Sequence, residues 1–302
     1  MNRNVLIVIL LILAIFSINF GSISAQSDFQ VFNWSTGGDV TNNTEFNSKI
    51  PHSDIVDEIV EGAKRGTPML RFGNGSGHSV LICAGVHGNE LSSQIAALTL
   101  INEIKSLKSE INGTIYIIPM AIPLDTALNQ REFNGTDPNR DADVNGTVTN
   151  NVFKLSQNFS VIALGDFHTT YLPINLEDDD EILVTYPKTG YQNNLIYVYT
   201  MHKLINTPLI EYPMDTPQNP GVLQAHANFN GIPSFTYETK TRFGYVDGNS
   251  AERSLLGMKA FLTATGIYDF FNTDSSLIND SSLVNNNIFD DKLINVGLEE
   301  CG

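Results

Sequence analysis

Apolar residues recur along most of this chain, either in short runs or at helical spacing, and polar stretches separate them. The clearest unit spans residues 79–108, where the β-branched run Ser79–Ala84 leads into the turn VHGNE and then into a helical pattern from Leu91 to Leu107. Apolar residues at every third or fourth position keep one side of that helix apolar. The pattern predicts a strand, a tight turn and an amphipathic helix.

Similar patterns predict further elements on both sides of this unit. Helices are expected at residues 54–64, where Ser53 can cap the first turn, and at residues 251–267. Strands are expected at residues 68–72, 113–123, 159–164, 182–186 and 232–237. Residues 73–77 (GNGSG) predict a hairpin turn, and residues 194–205 fit a helix or a strand. Strands that alternate with helices are typical of an α/β fold, so we expect a mixed, mostly parallel twisted sheet with helices on both faces.

The two ends of the chain depart from this pattern. Arg3 precedes an almost wholly apolar run at residues 5–18, and small residues follow at 21–25. This run is short for a membrane span of about 20 residues, so we predict a cleaved signal peptide at residues 1–25, with an uncleaved anchor as the alternative. The rest divides into three segments: a loose polar lead-in at 26–50, one domain at 51–271 and a mobile tail at 272–302. The mature protein is expected to be secreted or to lie at the extracytoplasmic cell surface.

Asn-x-Ser/Thr sequences are compatible with that location because they accept N-linked glycans outside the cytoplasm. Eight occur, and in an Asn-rich chain many of them can arise by chance. They begin at Asn33, Asn42, Asn74, Asn112, Asn134, Asn145, Asn158 and Asn279. They permit a glycoprotein without requiring one.

Charge and cysteine content restrict the partners and the means of stabilisation. The 302 residues include 33 acidic and 17 basic ones, for a net charge of -16. This balance argues against nucleic acid and against anionic membrane surfaces as partners, and membrane contact is expected only if the signal segment is retained. The chain has two cysteines, Cys83 and Cys301, which argues against a disulfide framework and for a fold that rests on its core.

Side chains able to perform chemistry follow three of the predicted strands. His87 and Glu90 lie in the turn after residues 79–84, His168 comes after the strand at 159–164, and Glu238 directly follows the strand at 232–237. Because the carboxyl ends of neighbouring parallel strands meet at one edge of a sheet, these side chains can gather there. Two imidazoles and one carboxylate can bind a divalent metal and leave a coordination position for water. Glu238 can then remove a proton from that water.

Each of these residues also has a purely structural explanation. His87 can hydrogen-bond a Glu90 that caps the helix, and His168 can be a buried histidine bonded to Asp166 or to a backbone carbonyl oxygen. The acidic run at 177–181 lacks the spacing of a calcium loop and predicts a solvated turn. The remaining alternatives are ion pairs: Glu238 with Lys240 or Arg242, and Arg131 and Arg140 with Glu132, Asp137 and Asp141.

Four motifs in this order resemble the zinc carboxypeptidase clan, and within it most closely the succinylglutamate desuccinylase/aspartoacylase family. They are AGVHGNE, Arg131 followed by the Asn139-Arg140 pair, GDFH and FTYE, and the likeness covers roughly residues 52–271. The resemblance implies that one zinc ion (Zn2+) per chain is bound by His87, Glu90 and His168. It also implies that Glu238 is the general base and acid and that Arg131 stabilises the oxyanion.

The Asn139-Arg140 pair is implied to grip the carboxylate of the substrate. A guanidinium can do this through two parallel hydrogen bonds, with the adjacent amide fixing the orientation. The pair lies in DPNRDAD, so the residues after it differ from the usual Phe-Pro of the family. The chain ends at Gly302, 64 residues after Glu238, and we expect the extra C-terminal β-domain of aspartoacylases to be absent.

The resemblance as a whole implies that residues 51–271 form the catalytic domain of a secreted zinc hydrolase. Such an enzyme cleaves an amide bond near a free carboxylate, either in a small N-acyl amino acid, as a deacylase, or in a peptide, as a carboxypeptidase. The alternative is a non-catalytic extracellular glycoprotein or carbohydrate-binding module that keeps this fold. Metal content separates these two classes, because only the enzyme requires one zinc per chain.

Overall fold

One mixed sheet forms the centre of the molecule in a computed structural model that describes residues 27–107, 111–171, 181–185, 192–211 and 221–272. Within these ranges the sheet has eight strands. They are β1 (Ser27–Phe32), β2 (Thr67–Gly73), β3 (Ser79–Ala84), β4 (Thr114–Ile118), β5 (Ala163–Thr170), β6 (Glu181–Thr185), β7 (Leu209–Glu211) and β8 (Ser234–Lys240). Their order is β1-β2-β4-β3-β5-β8-β6-β7.

The central strands β4, β3, β5 and β8 all run parallel, and β6 is parallel to β7. The remaining neighbours, β1 with β2, β2 with β4 and β6 with β8, are antiparallel. Four of the seven pairings are therefore parallel. The predicted fold class, a mixed and mostly parallel sheet in an α/β protein, is confirmed.

Helices cover both faces of this sheet. They are α1 (Thr44–Asn47), α2 (Asp54–Ala63), α3 (Leu91–Ser106), α4 (Pro123–Leu128), α5 (Val148–Asn158), α6 (Gln192–Ile205), α7 (Leu223–Phe229) and α8 (Ser250–Ala264). Apolar side chains of α2, α3, α6 and α8 share one core cluster, and those of α5 and α7 share another. Alternate residues of β3 enter the two clusters, Ile82 on one face and Cys83 on the other, as strand geometry requires.

Several predicted elements match the structure closely. Ser53 caps α2 by accepting a hydrogen bond from the backbone N–H of Val56 at 3.3 Å, and α3 and α8 occupy the two other predicted helical stretches. The ambiguous segment at 194–205 is the helix α6. The sequence did not predict α4, α5, α7 or β7. The elements α4, α7 and β7 are short. Helix α5 has 11 residues and an apolar side that includes Val148, Val152 and Phe153, so its pattern was present in the sequence and was missed.

Two structural predictions were wrong. Residues 73–77 do not form a hairpin turn, because β4 lies between β2 and β3 and pairs with both. Residues 26–50 are not a loose lead-in over the part that is described. Ser27–Phe32 pairs antiparallel with β2, and Val40 and Phe46 are fully buried in the core.

The predicted signal peptide, the acidic residues at 177–180, Cys301, the sequence at Asn279 and the tail from residue 273 lie outside the described residues. Cys83 is a buried free cysteine. In the described part of the chain, no helix is both long and apolar enough to span a membrane.

Candidate metal and catalytic site

The candidate site lies at the carboxyl ends of β3, β5 and β8. Strand β5 runs from Ala163 to Thr170 and β8 from Ser234 to Lys240, so both begin and end further along the chain than the predicted strands at 159–164 and 232–237. His168 and Glu238 therefore lie within strands, where they are direct partners in the parallel register. His87 and Glu90 lie in the turn between β3 and α3. Four residues from three separate parts of the chain meet at this edge of the sheet.

The three predicted metal ligands are adjacent and buried. Glu90 lies between the two imidazoles, with Oε1 2.6 Å from Nδ1 of His87 and Oε2 2.9 Å from Nδ1 of His168. One donor atom from each residue lies within 4.8 Å of the other two, and each side chain is 2% exposed. Two nitrogens and a carboxylate oxygen that face one point form the donor set of a divalent metal site.

A carboxylate lies behind each imidazole. Nε2 of His87 is 2.8 Å from Oδ1 of Asp137. Nε2 of His168 is 2.9 Å from Oδ2 of Asp166, although these two atoms are not aligned as a hydrogen bond. Metal-binding histidines usually direct their second nitrogen to such a partner, which fixes the ring orientation. The structural alternative for His168, a hydrogen bond to Asp166, is thus only partly met: the two side chains are adjacent at 2.9 Å but do not form the bond.

The charges of the three residues depend on one another. Burial opposes ionisation of Glu90, but the imidazoles of His87 and His168 lower the pKa of this carboxyl well below its usual range. Burial likewise disfavours the charged histidines, but the pKa of His168 is raised well above its ordinary value by Asp166 and Glu90. The pKa of His87 is raised by Glu90 and Asp137 against the same opposition. The pocket strongly favours a cation beside Glu90.

Glu238 is the second carboxyl of the site and has a different environment. Its Oε2 is buried and has no hydrogen-bond partner among the described residues. Burial raises the pKa of Glu238 to about 7. The alternative of a surface ion pair with Arg242 is wrong, because Arg242 donates to both carboxylate oxygens of Asp247 at 2.8 and 2.6 Å. A partly buried carboxyl whose pKa lies near neutrality is suited to accepting and returning a proton.

Arg131 lies beside the donor set. Its Nη1 donates to Oε1 of Glu90 at 3.2 Å, and its Nη2 donates to Oδ2 of Asp137 at 3.0 Å. The ion pair with Asp137 was one of the structural alternatives for Arg131, and it is present. The same contacts also place the guanidinium next to His87, at 3.2 Å from Nδ1.

Asp137 is a functional candidate that the sequence did not reveal. It contacts both His87 and Arg131, and its pKa is far below the usual value because the His87 hydrogen bond and charge and Arg131 outweigh the effect of burial. Its position two residues before Asn139 was visible in the sequence. Nothing in that spacing paired it with His87, 50 residues earlier.

Asp137→Asn is expected to weaken metal binding by roughly 10- to 100-fold, the usual effect of removing a carboxylate behind a ligating histidine. Asparagine has no negative charge and only one accepting oxygen, so it cannot replace the hydrogen bonds that the Asp137 carboxylate forms with both His87 and Arg131. A titration in competition with a chelator measures the affinity. Asp143→Asn, an exposed acid of the same loop, serves as the matched control, and equal affinities of both variants and the parent would contradict the role of Asp137.

Asn139 and Arg140 lie in a short helical turn, Pro138–Arg140. The backbone N–H of Asn139 donates to Asp137 Oδ1 at 2.8 Å, and its side-chain oxygen accepts from the N–H of Leu223 at 2.9 Å. Arg140 Nη1 donates to the carbonyl oxygen of Asn139 at 2.9 Å. The side-chain oxygen of Asn139 thus contributes to the fold. The substrate-binding role of both residues stays a prediction.

Asp125 on α4 is a second buried acid that the sequence did not reveal. It is 2% exposed, and its Oδ2 has no hydrogen-bond partner in the described part of the chain. Burial raises its pKa from 3.8 to about 7, and the nearby charge of His87 only partly offsets this. Asp125 is therefore largely protonated in the folded protein below neutral pH.

Asp125→Asn is expected to change the pH dependence of stability. Between pH 4 and 7 the folded parent holds a proton that the unfolded chain releases, so parent stability falls as pH rises. Asparagine cannot ionise, so the variant should gain stability relative to the parent by about 1–3 kcal/mol between pH 4 and 8. Denaturant unfolding at both pH values measures this. A difference between variant and parent that does not depend on pH would contradict it.

The fold and the site together define an α/β protein with a candidate mononuclear metal centre at the carboxyl edge of its sheet. The family model of the succinylglutamate desuccinylase/aspartoacylase catalytic domain matches residues 76–163, which include His87, Glu90, Arg131, Asn139 and Arg140. No curated protein sequence matches the chain.

Several solved structures share this fold. A succinylglutamate desuccinylase/aspartoacylase from Rhodobacter sphaeroides matches with 19% identity and a TM-score of 0.52, over 67% of this chain and 60% of that one. An aspartoacylase family protein from Mesorhizobium loti matches with 18% identity and a TM-score of 0.55, over 82% and 70%. A metallo-carboxypeptidase from Burkholderia cenocepacia matches with 14% identity and a TM-score of 0.50, over 66% and 61%.

These matches confirm the resemblance that the four motifs predicted. At such low identities the likeness to the solved structures shows a shared fold. The matched part spans 60% of the Rhodobacter chain and 61% of the Burkholderia chain, so about two fifths of each has no counterpart in the alignment.

Proposed function

We propose that this protein is a zinc-dependent hydrolase that cleaves an amide bond near a free carboxylate, as a deacylase or a carboxypeptidase. One observation carries the proposal: the buried donor set of His87, Glu90 and His168 lies beside Glu238, a carboxyl with a buried oxygen that has no described partner. A binding module without catalysis has no need for a proton acceptor at that position. The family match supports the reaction class.

The residues of the site fit a divalent metal. His87, Glu90 and His168 would hold it through the two Nδ1 atoms and a carboxylate oxygen, because the opposite ring nitrogens face Asp137 and Asp166. A zinc ion there would supply Lewis-acid chemistry, which lowers the pKa of a nearby water and polarises the scissile carbonyl. Nitrogen and carboxylate ligands suit zinc among the divalent metals.

Glu238 moves the proton. In its ionised form it accepts a proton from the attacking water, whose oxygen forms the new bond to the carbonyl carbon. The same carboxyl then gives this proton to the amine nitrogen as the C–N bond breaks. Arg131 donates hydrogen bonds to the oxyanion that develops on the carbonyl oxygen, an interaction worth roughly 3 kcal/mol for one well-placed donor. Arg140 pairs with the free carboxylate of the substrate, with help from the amide NH₂ of Asn139.

A substrate comparison with the zinc-loaded protein tests the proposal. Small N-acyl amino acids and short peptides are offered, each with a free and with an amidated α-carboxylate. We expect hydrolysis that requires the free carboxylate and stops on chelation of the metal. Hydrolysis of peptides alone identifies a carboxypeptidase, and hydrolysis of N-acyl amino acids alone identifies a deacylase. A zinc-loaded protein that cleaves neither overturns the proposal in favour of the non-catalytic module.

We also propose that the protein is exported and carries N-linked glycans. All seven of the described Asn-x-Ser/Thr asparagines are exposed, whereas five other described asparagines are buried: Asn43, Asn139, Asn150, Asn194 and Asn228. A folded protein can accommodate a bulky glycan only on an exposed asparagine. Expression of the full chain through a eukaryotic secretory pathway, followed by N-glycosidase treatment, should lower its mass. An unchanged mass would contradict glycan attachment, and retention inside the cell would contradict export.

A further inference from the structure

We propose that Phe243, together with Tyr245 on the same loop and Tyr171 on the neighbouring segment, forms an aromatic rim at the mouth of the site and binds an aromatic or extended apolar group on the acyl side of the substrate. The inference rests on the proposed function and adds the substrate class. These three side chains are 37%, 48% and 60% exposed. They belong to two neighbouring segments, because the N–H of Thr241 donates to the carbonyl oxygen of Thr170 at 3.0 Å.

The loop that carries Phe243 is anchored to the turn that carries the metal ligands. The N–H of Gly244 donates to the carbonyl oxygen of Asn89, beside Glu90, at 2.7 Å. Gly244 has φ +79°, and a Cβ atom there would lie 2.4 Å from Nδ2 of Asn129. Only glycine fits this close approach without strain. The neighbouring Phe243 is thus held at a defined distance from the donor set.

Phe243 also contacts Arg131 directly. The guanidinium carbon lies 5.9 Å from the centre of the ring, within the range of a cation–π contact. Another part of the same guanidinium donates to Asp137, which precedes the turn that carries Asn139 and Arg140. In the proposed mechanism Arg131 binds the scissile carbonyl of the substrate and Arg140 binds its carboxylate. The acyl group is the part of the substrate that neither arginine binds, and Phe243 can contact it.

Arg242, the cation on the loop that carries Phe243, is already paired with Asp247. Asp247 accepts from the guanidinium of Arg242 at two atoms and from the hydroxyl of Thr241 at 3.3 Å. The ring of Tyr245 lies over the same guanidinium, 4.3 Å from its central carbon. These contacts pair the positive charge of Arg242 with the carboxylate of Asp247. The rim is therefore suited to an uncharged flat or apolar group, which gains from ring stacking and from burial.

Three substrates that share one amino acid and differ only in the acyl group test the rim: N-phenylacetyl, N-acetyl and N-succinyl. We expect the zinc-loaded parent to prefer phenylacetyl over acetyl in kcat/KM by roughly tenfold, as one stacked ring and its burial allow. Phe243→Ala should lose this preference, mostly through KM, so that its kcat/KM for the phenylacetyl compound falls to about its own value for the acetyl compound. Phe243→Leu should restore part of it, because leucine still offers apolar surface.

Phe229→Ala is the matched control, since Phe229 is 39% exposed and lies on α7. It should leave all three values unchanged. Three results would overturn the rim and leave the proposed hydrolase intact. They are equal kcat/KM values of the parent for phenylacetyl and acetyl, a preference of the parent for succinyl, and a loss of kcat/KM in Phe243→Ala that is the same for all three compounds. If the zinc-loaded parent hydrolyses neither these compounds nor the peptides, the proposed hydrolase function itself is overturned.

Discussion

Glu238→Gln is expected to retain bound zinc and to lower kcat by about 10²- to 10⁴-fold, the contribution of a positioned general base. Glutamine has nearly the shape of glutamate and leaves the donor set of His87, Glu90 and His168 unchanged. It cannot accept a proton from water. Steady-state kinetics with the best substrate, combined with metal analysis of the same sample, measure both properties. Glu252→Gln, an exposed position on α8, is the control and should behave like the parent.

The pH dependence of the parent adds a second readout for Glu238. The base is active when ionised, so kcat/KM should fall as pH drops through the pKa of Glu238, which burial raises to about 7. A bound divalent cation favours the carboxylate and moves this limb to lower pH without removing it. The residual kcat/KM of Glu238→Gln should not show this fall at low pH. A variant with the parental rate and the parental pH profile would show that another group is the base.

His168→Ala is expected to abolish stoichiometric metal binding. The substitution leaves one imidazole and one carboxylate, fewer than the three protein ligands of a catalytic zinc site. Dialysed parent should retain one zinc per chain and the variant almost none, as measured by elemental analysis. Activity should fall to background in the same samples.

Removal of His168 also leaves the fully buried Asp166 beside an empty space, so the alanine variant can lose stability as well. His168→Asn keeps a polar group at this position and separates loss of metal from loss of fold. His226→Ala is the control, because His226 packs against Phe153 and contacts none of the proposed ligands. A folded His168→Asn protein with one tightly bound zinc would rule out His168 as a ligand.

Local sequence patterns were sufficient to predict the strand–turn–helix unit around His87 and Glu90. The β-branched run, the apolar spacing of α3 and the polar turn between them all lie within about 30 residues, and each obeys a rule of local structure. The same is true of α2 and its Ser53 cap. The order of the four motifs added the later residues His168 and Glu238.

The contacts between distant segments could not be predicted in this way. The strands β5 and β8 were expected to end before His168 and Glu238, because polar residues usually mark the end of a buried strand. In the structure they continue, since His168 contacts Glu90 and Asp166 inside the sheet edge. His168 and Glu238 are neighbours because β5 and β8 are adjacent in the sheet. The predicted hairpin at 73–77 does not form because β4 lies between β2 and β3. Local sequence patterns do not specify either adjacency.

Asp137, Asp125 and Phe243 illustrate the same limit for function. Each resembles an ordinary loop or helix residue in the sequence. Each gains its chemical character from a partner far along the chain: Asp137 from His87, Asp125 from burial beside the same histidine, and Phe243 from Arg131. Only the folded structure brings these pairs together.

A crystal of the zinc-loaded protein, with anomalous diffraction recorded at the zinc edge, tests the central claim most directly. We predict a single strong peak per chain, about 2.0–2.2 Å from Nδ1 of His87, Nδ1 of His168 and a carboxylate oxygen of Glu90. Glu238 should approach the peak without binding it. A peak elsewhere in the molecule, or none beside these three residues at saturating zinc, would contradict the account.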